Sequence, residues 1–161
     1  MNPKRVLSKE TIALQLTATT KDGIIEELVD VLVAAGRLKD RKAALKAVQE
    51  RERKMSTGLQ NGIAIPHGKT DTVESLVAAL GLKKEGVAFD SLDGLPCQIF
   101  LMTLSPASRT GPHIQFLADI SRTLHDPAVR QQVLNAANEE DVVEILCRDR
   151  AAPPAGHAAP H

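Results

Sequence analysis

Two histidines, His67 and His113, and one arginine, Arg51, are the residues of this chain whose types and settings suit chemistry. His67 lies near the end of the stretch Asn61-Gly62-Ile63-Ala64-Ile65-Pro66-His67-Gly68-Lys69. Ile63 to Ile65 reads as a short buried strand, opened by Gly62 and stopped by Pro66, which has no N–H for a ladder. His67 is thereby delivered at a strand end, where α/β proteins place their chemistry. Gly68 lets another molecule or a second segment approach the imidazole. His113 follows Gly111-Pro112, and proline there suits the first turn of a helix, whose free N–H groups favour an anion. The alternative is that His113 only helps to cap that helix.

A neutral imidazole is a competent nucleophile near pH 7. An arginine fork matches the oxygens of a phosphoryl group, and a second imidazole can donate a hydrogen bond to them. Phosphoryl transfer needs chiefly that positioning and charge compensation. Competing chemistries lack their motifs. The chain has no H-E-x-x-H or C-x-x-C spacing for zinc, no G-x-S-x-G elbow for a serine nucleophile, and no G-x-x-x-x-G-K-[ST] loop for a nucleotide. No cofactor or metal is therefore expected, and a metal site built from His67, His113 and His125 is the outside alternative. Any phosphate handled here arrives already activated on a donor, which describes a relay rather than an ATP-using kinase.

These residues need elements to hold them. At 161 residues the chain fits one domain. Twenty basic and twenty acidic side chains cancel, so nothing argues for nucleic acid, and three Phe without Tyr or Trp leave no stacking platform. No run approaches the roughly 18 apolar residues of a membrane helix, and Met1-Asn2-Pro3-Lys4-Arg5 leads into no signal-peptide core. The expectation is a cytoplasmic protein without direct membrane insertion. Cys97 and Cys147 form no redox pair, and Cys97 is expected as a buried thiol.

Alternation predicts a first strand over Thr11 to Leu16, then a helix capped by Thr19 or Thr20, with Ile25, Leu28, Val29, Leu32 and Val33 inward and Gly36 as its stop. Asp40 caps a second helix, about Arg41 to Arg53, with Ala44, Leu45 and Val48 inward. Arg51 extends that stripe and Arg53 does not. An inward charge needs a counter-charge or polar pocket; otherwise Arg51 is a surface arginine with its stem along the core edge. Leu76 to Leu82 and Gln98 to Leu104 read as buried strands, Lys83 to Gly86 as a turn, and Phe89 to Gly94 as a loop. A helix opens at Gly111-Pro112-His113 with Ile114, Leu117, Ala118, Ser121 and Leu124 on one face. Further helices follow over Ala128 to Ala136 and Glu139 to Cys147. Strands alternating with helices give the fold class α/β, a layered domain, and a single one. Residues 1–7 are expected as an N-terminal extension, 8–148 as the domain and 149–161, with His157 and His161, as a disordered tail.

The chain resembles the enzyme IIA domains of the phosphoenolpyruvate-dependent phosphotransferase system, of the fructose, mannitol and nitrogen-regulatory type. The resemblance runs from about Ser8 to Cys147 and is carried by Gly62-Ile-Ala-Ile-Pro-His67-Gly68, Arg51-Glu52, Ser56-Thr57-Gly58, Phe89-Asp-Ser-Leu-Asp-Gly94, and His113 with Leu117-Ala118 and Ser121. It implies that His67 accepts a phosphoryl group from the histidine-containing phosphocarrier protein (HPr) or a paralogue, while Arg51 and His113 hold the phosphoryl oxygens. It also implies an enzyme IIB or a regulatory target protein as acceptor, and a mixed, roughly five-stranded sheet flanked by helices on both faces. Gln60 departs from the family motif, which usually has Gly or Ala there, and is expected to narrow the backbone angles or reshape the lip of the site. The sugar, the choice between transport and regulation, the oligomeric state and the phosphorylated ring nitrogen stay open at this level.

Overall fold

The computed structural model describes residues 6–108 and 110–148. A 3-10 turn, Lys9–Thr11, leads into β1 (Ile12–Ala13), α1 (Lys21–Ala34) and α2 (Arg41–Lys54). Then come β2 (Ile63–Ala64), β3 (His67–Lys69), β4 (Val77–Val87), β5 (Cys97–Ser105), α3 (Thr110–Leu124), α4 (Pro127–Leu134) and α5 (Glu139–Cys147). The sheet is five-stranded and mixed, in the order β1-β4-β5-β2, with β3 also on β5. β4 and β5 are antiparallel, whereas β1 runs parallel to β4, and β2 and β3 run parallel to β5.

Alternation along the strands sorts the core into two layers. Ala64, Phe100, Met102 and Leu104 pack with Ile25, Leu28, Ala44 and Val48 of α1 and α2. Ile63, Ile99, Leu101 and Leu80 pack on the opposite face with Phe116, Ile120, Val133 and Leu146 of α3, α4 and α5. Helices therefore flank both faces, as the sequence predicts. Val6 and Leu7, assigned on sequence to an extension, are buried in the second layer. Residues 149–161, the expected tail, lie outside the described residues.

Local chemistry accounts for most boundaries. The hydroxyl of Thr20 accepts from the Gly23 N–H at 3.1 Å, and the Asp40 carboxylate accepts from the Ala43 N–H at 3.0 Å, so both helices start at side-chain caps. Several expectations need correction. The first strand is shorter than Thr11–Leu16, because the Thr11 hydroxyl bonds back to the Ser8 N–H and C=O and commits that residue to a turn. On α1, Ile24 is buried while Val33 is 37% exposed. Lys83 to Gly86 is no turn: β4 continues through it, with a register irregularity between Leu82 and Val87 and Gly86 at φ 83°. The Gln98 side-chain amide donates to the Lys84 carbonyl at 2.8 Å and ties that extension to β5. The chain reverses later, where Asp90 and Gly94 take positive φ.

Helix α3 presents His113, Phe116, Ile120 and Leu124 to the sheet, and Ile114 is 66% exposed. The inward stripe is rotated by about one residue from the expected one. That rotation turns His113 inward.

Candidate functional site

Pro66 interrupts the edge strand without ending it. Its N–H is missing, yet its carbonyl accepts from the Thr103 N–H at 3.1 Å. β2 and β3 share one register on β5: Ile63 pairs with Ile99, and His67 with Thr103. The expectation that pairing stops at the proline is corrected accordingly. His67 is the first residue of a resumed strand, and its side chain falls on the same face as Ile63 and the α3 layer. Gly68 faces the other way. A Cβ there would sit 2.8 Å from the Ala47 carbonyl carbon and 2.9 Å from the Val48 nitrogen, so the glycine is required by the backbone of α2.

The ring of His67 is fixed by its own strand. Its Nδ1 lies 2.8 Å from the Ile65 carbonyl oxygen. A carbonyl only accepts, so Nδ1 carries the proton and Nε2 of the neutral ring keeps its lone pair. Burial lowers the pKa of His67; the Ile65 bond opposes this, the Arg51 charge lowers it further, Glu52 raises it and Lys69 lowers it. Burial thus favours the neutral ring, the form in which an imidazole is nucleophilic.

His113 comes to the same place from α3. The two ring centroids are 5.8 Å apart and nearly edge-on, at 70°. His113 is 4% exposed. Its Nε2 lies 2.7 Å from the Thr103 hydroxyl and its Nδ1 3.1 Å from the Ser105 hydroxyl. Burial first, then the neighbouring His67 and Lys69, push its pKa from 6.5 to about 4. Both rings are therefore neutral near pH 7, and His113 does more than cap a helix.

Arg51 sits half-buried in the last turn of α2, where one guanidinium nitrogen donates to the Met55 carbonyl at 2.8 Å. The buried charge on this stripe is instead Glu52, four residues after Val48 and equally on its face. Its carboxylate accepts from the Thr57 N–H at 2.8 Å and the Thr57 hydroxyl at 2.5 Å, and pairs with Lys21 Nζ at 2.8 Å. The Thr57 carbonyl accepts in turn from the Ile65 N–H at 3.0 Å. Hydrogen bonds thus run from Glu52 through Thr57 and Ile65 to the imidazole of His67. This network is the part of the site that sequence reasoning missed. Extending the stripe by four residues as well as three would have found Glu52, while Lys21 leaves no trace in the local pattern. Lys69, two residues after His67 on the same strand face, supplies a further positive charge.

Gln60 carries an ordinary backbone. The positive φ values fall on Asn61 and Gly62, at 65° and 78°, so the expected restriction of backbone angles does not arise. Gln60 instead lines an open groove of about 300 Å³ with Leu59, Ile65, Leu92 and Ile120. His125 lies exposed beyond the end of α3, and no group of three or more metal-ligating side chains occurs among the described residues.

Residues 5–148 match the family described as phosphoenolpyruvate-dependent sugar phosphotransferase system, EIIA 2. The chain belongs to that family. It is 42% identical over 137 residues to the fructose-specific EIIA component of Haloferax volcanii, covering 85% of this chain and 89% of that protein. Its fold matches the crystal structure of the nitrogen regulatory protein IIA-Ntr from Neisseria meningitidis with a TM-score of 0.82 at 27% identity, over 88% of this chain and 97% of that one. It also matches, with a TM-score of 0.74 at 26% identity over 87% of this chain and 96% of the other, a structure from Escherichia coli that contains enzyme IIAMTL in complex with phosphorylated enzyme IIBMTL. The protein is accordingly a phosphotransferase-system EIIA component. No helix among its described residues is long and apolar enough to cross a membrane.

Proposed function

We propose that this EIIA component is a phosphoryl carrier whose acceptor atom is Nε2 of His67. The observation that carries the reading is the state of that ring: neutral, with Nδ1 committed to the Ile65 carbonyl at 2.8 Å and Nε2 left as the nucleophile. The donor is a phosphorylated HPr-like phosphocarrier. The Nε2 lone pair forms the new N–P bond while the donor's bond to phosphorus breaks and its electron pair returns to the donor. Charge left on the His67 ring is stabilised by the Nδ1–H bond to Ile65. Arg51 compensates the phosphoryl oxygens, with Lys69 beside it. His113, expected to hold those oxygens too, has both ring nitrogens on the Thr103 and Ser105 hydroxyls, so its part is to pack edge-on against the His67 ring and set its place. The reverse attack, by a nucleophile on an enzyme IIB, discharges the carrier. Similarity to the IIA partner in the E. coli complex supports that acceptor. We take the cytoplasm as its location on the same reading.

Incubation with phosphoenolpyruvate, enzyme I and HPr is expected to add one acid-labile phosphate to the protein. Retention of that phosphate by His67→Ala would overturn the assignment.

A regulatory role is the second reading, supported by the fold match to IIA-Ntr. Phosphorylation adds about −1.5 to −2 of charge by analogy with other phosphorylated side chains, enough to make or abolish an interface. A partner that binds the unphosphorylated chain and is released by phosphorylation is then expected. Discharge onto a sugar-specific enzyme IIB would refute an exclusively regulatory role.

A further inference from the structure

His113 is gripped on both ring nitrogens by hydroxyls from a single strand. Thr103 and Ser105 occupy alternate positions on β5, so both project into the α3 layer beneath the ring. They are 0% and 1% exposed, so no bulk solvent competes for the ring. A hydroxyl both donates and accepts, so this pair satisfies a neutral imidazole: one ring N–H donates to one hydroxyl, and the other hydroxyl donates to the bare nitrogen. A carboxylate at either position would draw the ring toward imidazolium. An apolar residue would leave a buried ring nitrogen unpaired.

The strand register gives Thr103 a second neighbour. It is the paired residue of His67 across the β3–β5 ladder, as Ser105 is of Lys69. Paired residues of adjacent strands point to the same face, so His67, Lys69, Thr103 and Ser105 form one four-residue patch, with His113 over it. The orientation of His113 relative to His67 is therefore set by hydroxyls on the strand that also holds His67.

We propose that Thr103, with Ser105, is a positioning pair for phosphoryl transfer, holding His113 as a neutral ring in a single orientation with its edge against His67. The proposal rests on the reading of His67 as the acceptor. Neither hydroxyl need touch the phosphoryl group; both act through His113, and the defect expected from their loss is a misplaced second imidazole.

The test compares Thr103→Val, which keeps the shape and removes the hydroxyl, with Thr103→Ser, which keeps the hydroxyl and removes the methyl, in the full chain. Two quantities are read: the imidazole 15N shifts of His113, which report the hydrogen bonding of its two nitrogens, and the single-turnover rate of phosphoryl acceptance from phospho-HPr. The parent is expected to show one set of His113 ring shifts, with both nitrogens hydrogen-bonded. Thr103→Val is expected to show averaged or inverted ring shifts and transfer slowed about 10- to 100-fold, the scale of a misplaced catalytic group. Thr103→Ser is expected to recover the parental shifts and most of the rate. Ser105→Ala is expected to move both readouts in the same direction but less, its bond being the longer at 3.1 Å.

A folded Thr103→Val with parental shifts and rate overturns the proposal. So does a Thr103→Ser as slow as Thr103→Val, since volume would then matter and the hydroxyl would not. Should Thr103→Val fail to fold, Ser105→Ala decides, and unchanged ring shifts and rate there are the overturning result. A parent chain that takes no phosphate overturns the carrier reading instead, and the His113 shifts of Thr103→Val still uphold or overturn the lock.

Discussion

His67 and His113 meet with their ring centroids 5.8 Å apart, and they are held in opposite ways. His67 is half-buried on an edge segment and uses one nitrogen on a carbonyl two residues away, which leaves the other nitrogen unclaimed. His113 is buried under a helix and has both nitrogens on hydroxyls eight and ten residues away. Its partners come from another element. The first arrangement keeps an atom available for reaction, and the second fixes a ring in place. Both lower the pKa, chiefly by burial. Similar electrostatics thus accompany different settings, and the hydrogen-bond partners separate them.

The widest separation should come from His67→Ala, which is expected to abolish acid-labile phosphate altogether, measured by mass spectrometry of the intact protein after incubation with phosphoenolpyruvate, enzyme I and HPr. Arg51→Gln attacks the His67 side alone. Loss of charge compensation is expected to slow acceptance from phospho-HPr about 10- to 1,000-fold, on the scale of other transition-state donors, and rapid-quench kinetics at parental speed would remove Arg51 from the site.

The His113 side is tested by pH. Its folded pKa of about 4 lies below the ordinary 6.5, so between those values the unfolded chain binds a proton that the folded chain refuses. Stability from this group is intact above pH 6.5 and is lost as pH falls toward 4, by on the order of 3 kcal/mol. Urea unfolding of the parent and of His113→Gln across this range should show the parent alone losing that increment. Parallel curves would contradict the depressed pKa.

Gly68→Ala is the smallest perturbation. Its Cβ would meet the α2 backbone at Ala47 and Val48 within 3 Å. The cost is expected to be about 1–3 kcal/mol, as for other overpacked sites. β3 should shift, so the Nδ1 signal of His67 should move while the His113 signals hold. Equal movement of both rings would show that the two sites are mechanically one.

How far the sequence was legible depended on how local each interaction is. Thr20 and Asp40 cap helices through bonds to residues three positions on, and Pro66 marks its strand interruption by its own chemistry. The inward face of α3 is ambiguous in sequence because Leu117 fits a helical stripe with Ile114 and Ala118 as well as the observed one with His113, Phe116 and Ile120, which leaves Ala118 exposed. The chain could not show that the sheet claims His113 and Phe116 in place of Ile114. Lys83 to Gly86 has the composition of a turn, and only the Val87–Cys97 pair and the Gln98 side chain on the Lys84 carbonyl reveal it as strand. The effect of Gln60 on backbone angles was misjudged because Asn61 and Gly62 absorb the positive φ.

Taken by itself, the sequence determined the α/β class, the order of the helices and of every strand but β3, the position of His67 directly after Pro66, and the nomination of His113 and Arg51 as candidates beside it. Each follows from residue type, from short-range periodicity or from the resemblance carried by the motif. Tertiary structure decided which nitrogen of His67 is bare, that Glu52 is the buried charge and that Lys21 pairs with it, and that Thr103 and Ser105 hold His113. Those depend on a strand register joining residues 36 positions apart and on which helix face meets the sheet. Both are settled by packing between distant segments, which no local pattern encodes.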